Sequence, residues 1–86
     1  MTPTISVIMP VYNRETFVKQ AVESILNQSF EDFEFIILDD CSQDGTRDVI
    51  RSFSDRRIRL IANPRKGNIP RLRNQGMDLA RGKYIA

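Results

Sequence analysis

The sequence predicts an α/β protein built on a parallel sheet. Short, nearly continuous apolar runs rich in β-branched residues alternate with stretches whose apolar residues recur every three or four positions. The resulting order is β-α-β-α-β-α-β, which implies parallel strands joined by right-handed crossovers. Polar residues then fall in a telling place: Asp39 and Asp40 follow directly on Ile36-Ile37-Leu38. A buried strand thereby delivers two carboxyl groups to the sheet edge, where ligands bind in such folds.

Each element has a local reason. Ile5-Ser6-Val7-Ile8-Met9 reads as a buried strand stopped by Pro10, which cannot donate to the ladder. Val11 to Arg14 is a loop, with Asn13 as the expected helix cap and Glu15 in the first turn. From Glu15 to about Gln28, Phe17, Val18, Ala21, Val22, Ile25 and Leu26 make one apolar stripe. Ser29 to Asp32 is a turn, and Phe33 to Leu38 is the second strand, apolar enough to be covered on both faces. Asp44 can cap a helix to about Phe53, which Ser54 and Asp55 end.

Arg57 to Ile61 alternates charged and apolar residues, as a half-exposed edge strand does. Asn63 to Gly67 is a loop. Asn68 is the expected cap of a third helix with Pro70 in its first turn, an apolar stripe of Ile69, Leu72, Gly76, Leu79 and Ala80, and Gly82 as its end. Lys83-Tyr84-Ile85-Ala86 opens a fourth strand. A chain ending inside a strand reads as part of a longer protein.

Composition narrows the function. At 86 residues there is room for one small domain. A net charge of +2, with thirteen basic residues offset by eleven acidic ones, implies no nucleic acid partner. Basic residues gather late, from Arg56 onward and including Arg65 and Lys66; a solvated face accounts for most of them, and a few are candidates to meet phosphate. There is no histidine, so no Ser-His or Cys-His pair exists within the chain. Cys41 is the only cysteine, so no internal disulfide forms, which suits a reducing compartment. No apolar run approaches a membrane span, and no signal-peptide pattern is present.

Read alone, the polar residues have two meanings. Asp39 and Asp40 serve equally as turn and cap residues or as ligand acceptors. Tyr12 is half-buried packing or a stacking platform. Arg73-Asn74 is surface charge with a structural amide, or part of a site. Cys41 reads as a passive packing residue.

Four segments in order resemble the family 2 glycosyltransferases of the GT-A fold. They are Ser6-Val7-Ile8-Met9-Pro10-Val11-Tyr12-Asn13, Ser24 to Phe30, Ile37 to Thr46, and Arg73-Asn74-Gln75-Gly76 with Ala80 to Ile85. The resemblance covers essentially the whole chain. It implies a Rossmann-like sheet of strand order 3-2-1-4 with three helices, the N-terminal part of a GT-A fold, with residues 1–86 as its nucleotide-binding portion.

It further implies a nucleotide-sugar donor, UDP-linked, and inverting transfer to an acceptor hydroxyl. Tyr12 would stack on the base. Asp40 is favoured as acceptor for the base N–H, with Asp39 tying down neighbouring backbone, because adjacent strand residues point to opposite faces. Pro10 and Val11 would offer carbonyls, and Asn13 lies in the same loop. Asn68 would face the cleft at a helix N-terminus, with Arg71 and Arg73 adding charge.

The resemblance also implies a divalent metal, Mg or Mn, held by an Asp-x-Asp motif that this chain does not contain. Hence no catalytic residue and no metal ligand are expected here, and none of the reaction by this stretch alone. Location would be cytoplasmic, at the membrane face through regions outside the chain. Two rivals remain. A flavodoxin-like receiver domain also carries an acidic pair, but the third strand ends Ile61-Ala62-Asn63, without the further Asp it needs. A non-catalytic assembly module would form a homodimer through an open sheet edge.

Overall fold

A computed structural model describes residues 2–86. It comprises β1 (Ile5–Val11), α1 (Val18–Leu26), β2 (Phe33–Asp40), α2 (Thr46–Arg51), β3 (Ile58–Asn63), α3 (Ile69–Leu79) and β4 (Tyr84–Ile85). All pairings are parallel and the strand order is β3-β2-β1-β4. A flavodoxin-like sheet would set β3 beside β1; here β4 takes that place, so the receiver topology is ruled out.

Side-chain parity sorts the core into two layers. Phe33, Phe35 and Ile37 of β2 pack with Val18 and Val22 of α1 and Ile50 of α2 on one face. Ile36 and Leu38 pack with Leu72 of α3 on the other. All eight residues of β2 are buried. Gly76 lets α3 lie close: a Cβ there would stand 2.6 Å from Cγ2 of Ile8 and 3.1 Å from Cδ1 of Leu38.

Several boundaries differ from the sequence reading. β1 runs through Pro10 to Val11 rather than stopping at Met9. The even residues of β1 turn their backbone groups toward β4, as Ile8 N–H to Ala86 O shows, so Pro10 has its missing donor on the side away from β2. α1 begins at Val18, not Glu15, because Asn13 takes a left-handed φ of 48° and does not cap it. Phe17, predicted in the apolar stripe, stands exposed at the N-cap position. β3 extends to Asn63 and α2 stops at Arg51. α3 ends at Leu79, before Gly82. Gly82 serves close approach instead, since a Cβ would come within 2.6 Å of the backbone N of Ser6.

The amino end of the sheet is closed by a charged cluster. Ser6 and Glu34 share a register position and face α3. Ser6 donates its hydroxyl to Glu34 Oε2 at 2.6 Å, and Arg59 donates Nη1 to Oε1 at 3.0 Å. Arg81 donates its backbone N–H to Oε2 at 2.5 Å and Nε to Oε1 at 3.3 Å. Burial alone would raise the Glu34 carboxyl, but bonds from the Ser6 hydroxyl, the Arg81 amide and both guanidinium groups outweigh it. They lower its pKa from 4.5 to about 2.

Two predictions follow from packing and charge. Gly76→Val should lower the unfolding free energy by about 2–3 kcal/mol in urea titrations, because Ile8 and Leu38 must give way. Gly76→Ala should lose less, since helix propensity returns up to about 1 kcal/mol. Glu34→Gln should lose about 1–3 kcal/mol at neutral pH. A depressed folded-state pKa contributes stability above the unfolded value, and that contribution drains as pH falls. The wild type should therefore lose this increment between pH 4.5 and about 2, and the Gln variant should show none of that loss.

Candidate functional site

The carboxyl end of the sheet is built from the last two residues of β2. Parity sends Asp39 toward the α1 and α2 layer and Asp40 toward α3. The two carboxyl groups therefore do separate work.

Asp39 is fully buried. Its Oδ2 accepts from the backbone N–H of Ser42 at 3.0 Å and lies 3.6 Å from Nε of Arg47. Cys41 between them has a φ of 62°, the left-handed corner that turns the chain back on Asp39. Oδ1 of Asp39 has no hydrogen-bond partner among the described residues.

The turn after β2 is stitched to the loop after β1. Asn13 N–H donates to Ser42 Oγ at 2.9 Å, and Gln43 N–H donates to Asn13 Oδ1 at 2.8 Å. Arg14 N–H donates to Thr46 Oγ1 at 2.8 Å. Glu15, expected in the first turn of α1, accepts from Gly45 N–H at the start of α2, at 3.1 Å. Asp44 sits one residue before the α2 N-cap and accepts from Thr46 N–H at 3.0 Å. The Thr46 hydroxyl holds its carboxyl below the ordinary value, ahead of the backbone N–H groups of Thr46, Glu15 and Asp44 itself.

On the other face, Asp40 Oδ1 accepts from Gly67 N–H at 2.6 Å, while Oδ2 lies 3.9 Å from Nζ of Lys66. Lys66 Nζ also stands 3.2 Å from the centroid of the Tyr12 ring. Tyr12 and Asp40, paired by the sequence reading, are thus bridged by one lysine. An open groove of about 540 Å³ begins at Asp40 and runs between the β3–α3 loop and α3, lined by Asn63, Lys66, Gly67, Arg71 and Gln75 among others.

The remaining candidates are placed as follows. Asn68 is the α3 N-cap, its Oδ1 accepting from Arg71 N–H at 2.9 Å, and it does not line the groove. Arg71 lines it. Arg73, about 200° further round the helix, does not. Pro10 and Val11 border a separate groove of about 220 Å³ with Met9, Phe17 and Ala21. Asn13 holds two loops together through its backbone and side chain.

Sequence reasoning passed over Lys66, Gly67 and Gln75. Gln75 and Asn63 exchange two side-chain hydrogen bonds, at 2.9 and 3.2 Å, and fix α3 to the end of β3. Position gave a usable signal for Lys66: a basic residue before glycine in a short loop at the carboxyl end of a strand. A divalent ion does not fit these residues. No three Asp, Glu or Cys side chains gather among the described residues, and Asp39 and Asp40 face opposite sides of the sheet.

Comparison with known proteins gives the family. The family profile of glycosyl transferase family 2 covers residues 6–86. Bacillus subtilis TuaG, provisionally named a teichuronic acid biosynthesis glycosyltransferase, is 38% identical over 86 residues, covering 98% of this chain and 34% of TuaG. The Escherichia coli protein WfgD, a UDP-Glc:alpha-D-GlcNAc-diphosphoundecaprenol beta-1,3-glucosyltransferase, is 37% identical over 82 residues, covering 95% of this chain and 32% of its own length. The chain thus spans about a third of these relatives.

Among solved structures, S. aureus TarS in complex with UDP-GlcNAc superposes with a TM-score of 0.88 at 27% identity, over 95% of this chain and 25% of TarS. A mannosyltransferase from Pyrobaculum calidifontis, in complex with GDP-Man and Mn2+, shares the fold at a TM-score of 0.82 and 22% identity, over 93% of this chain and 25% of that one. A profile match running from β1 to β4, on a parallel sheet of order β3-β2-β1-β4, identifies the chain as a member of glycosyl transferase family 2, with the sheet of the GT-A fold.

Proposed function

We propose that these 86 residues are the N-terminal nucleotide-recognition portion of an enzyme that transfers a sugar from a UDP-linked donor to an acceptor hydroxyl. One observation carries this reading: Tyr12 and the Oδ2 side of Asp40 converge at the carboxyl end of the sheet, beside the point where β1 separates β2 from β4. A pyrimidine has a flat face for the tyrosine and an edge N–H for the carboxyl. Arg71, in the groove that begins at Asp40 and that Tyr12 adjoins through Lys66 without lining, supplies charge for phosphate. TarS complexed with UDP-GlcNAc, and WfgD as a glucosyltransferase named for UDP-Glc, support UDP as the carrier.

Transfer would be inverting. The acceptor oxygen forms a bond to the anomeric carbon as the bond to the diphosphate breaks, and the nucleoside diphosphate leaves with both electrons. The acceptor proton passes to a carboxylate outside these residues. A divalent metal, where the enzyme uses one, would likewise be held outside them. Asp39 takes no part in base contact and secures the turn that flanks the site. No helix among the described residues is long and apolar enough to cross a membrane. Action at the cytoplasmic membrane face would depend on segments beyond this chain.

Calorimetry with UDP tests the proposal. The wild type should bind UDP weakly and hydrolyse no donor. Asp40→Asn keeps an oxygen for Gly67 N–H but sets an amide N–H against the base N–H, and should weaken binding about tenfold or more. Tyr12→Ala should lose a similar amount through stacking. Absence of UDP binding at about 1 mM would overturn the proposal. A rival assembly role through the β4 edge, where Tyr84 and Ile85 are exposed, would instead give concentration-dependent dimers indifferent to UDP in size-exclusion chromatography.

A further inference from the structure

Lys66 has no part in the function proposed above, yet it stands in the middle of that site. Its Nζ is 3.2 Å from the Tyr12 ring centroid and 3.9 Å from Oδ2 of Asp40. Those are the ring face that would stack on the base and the oxygen that would accept its N–H. An ammonium and a base cannot occupy one ring face together, and the same ammonium stands against Oδ2 of Asp40, so a base that uses this face and this oxygen displaces Lys66.

Displacement requires little of the backbone. Gly67, the next residue, stays anchored through its N–H on Asp40 Oδ1 at 2.6 Å. The Lys66 side chain is 58% exposed and free to swing on its four-carbon stem. Leaving Tyr12 and Asp40, the ammonium gives up a cation–π contact and a weak ion pair. A phosphate entering the groove beside Arg71 would offer a charge-assisted hydrogen bond in return. A bare nucleoside offers nothing.

We propose that Lys66 is a specificity-determining residue that guards Tyr12 and Asp40 in the free protein and transfers to the phosphate of an incoming nucleoside diphosphate. Binding of the base is thereby coupled to the presence of phosphate, and nucleosides are discriminated against. This rests on the nucleotide site proposed above.

The experiment compares UDP with uridine on the wild type, Lys66→Met and Lys66→Arg, alongside NMR of the lysine side chain. In the free wild type the Lys66 CεH2 protons should be shifted upfield by the Tyr12 ring, and saturation with UDP should abolish that shift. Lys66→Met should bind uridine about two- to fivefold tighter, because the ring is vacated. It should bind UDP weaker by a similar factor, because a phosphate partner is gone. Lys66→Arg should restore preference for UDP. If UDP binds while the upfield shift persists, or if Lys66→Met leaves the UDP-to-uridine ratio unchanged, the inference fails and the nucleotide site stands. If neither ligand binds any of the three proteins, the nucleotide site itself fails and takes the inference with it.

Discussion

Three carboxyl groups on a strand sealed from water on both faces organise the rest of the molecule. β2 is buried along its whole length, yet it carries Glu34, Asp39 and Asp40. Burying such groups without partners is costly, so each must find donors within the protein. Glu34 finds the Arg81 amide in the α3–β4 turn. Asp39 finds Ser42 in the β2–α2 turn, and Asp40 finds Gly67 in the β3–α3 loop. Each acid therefore fixes a different connection, and together they hold the loops that an apolar core does not reach.

The two ends of the sheet use the same device to opposite purposes. At the amino end, Glu34 is surrounded: a hydroxyl, a backbone N–H and two guanidinium groups take up both oxygens. At the carboxyl end the satisfaction of Asp40 is incomplete. One oxygen has a short backbone bond, whereas the other faces, among the described residues, only a lysine at 3.9 Å, close to the outer limit of an ion pair. A group held in place by one oxygen and nearly free at the other is positioned to accept from a ligand without first losing its anchor.

How much of this was legible follows from the range of the forces involved. Strand and helix identities came from periodicity, which is a local property, and the alternation along β2 also separated the roles of Asp39 and Asp40. Boundaries failed where a distant partner decides. Asn13 looked like a cap for its own helix, but Ser42 and Gln43, about thirty residues away, claim it and leave α1 to start at Val18. Glu15 was assigned to α1 and serves the start of α2. Strand order was not legible from periodicity at all; only the family resemblance supplied it. Arg57, Arg59 and Arg81 read as solvated surface, yet Arg57 pairs with Asp55 and stacks on Phe33, and the other two close on Glu34.

Lys66 shows most clearly why a site is harder to read than a fold. In the sequence it is one cation in a basic stretch, set apart from Arg65 only by the glycine that follows it. Its meaning arises because β1 and β2 pair in a register that sets Val11 opposite Asp39, bringing Tyr12 to the end of β2. The Asp40 bond to Gly67 then draws the β3–α3 loop over both. Ring, carboxyl and ammonium come from three separate connections and meet only through the sheet. The same convergence explains why affinity in this part of the protein should be modest. The groove is open, its acceptor is shared with a backbone N–H, and the Tyr12 ring beside it already carries the Lys66 ammonium, so any ligand gains only the difference between its own contacts and those it replaces.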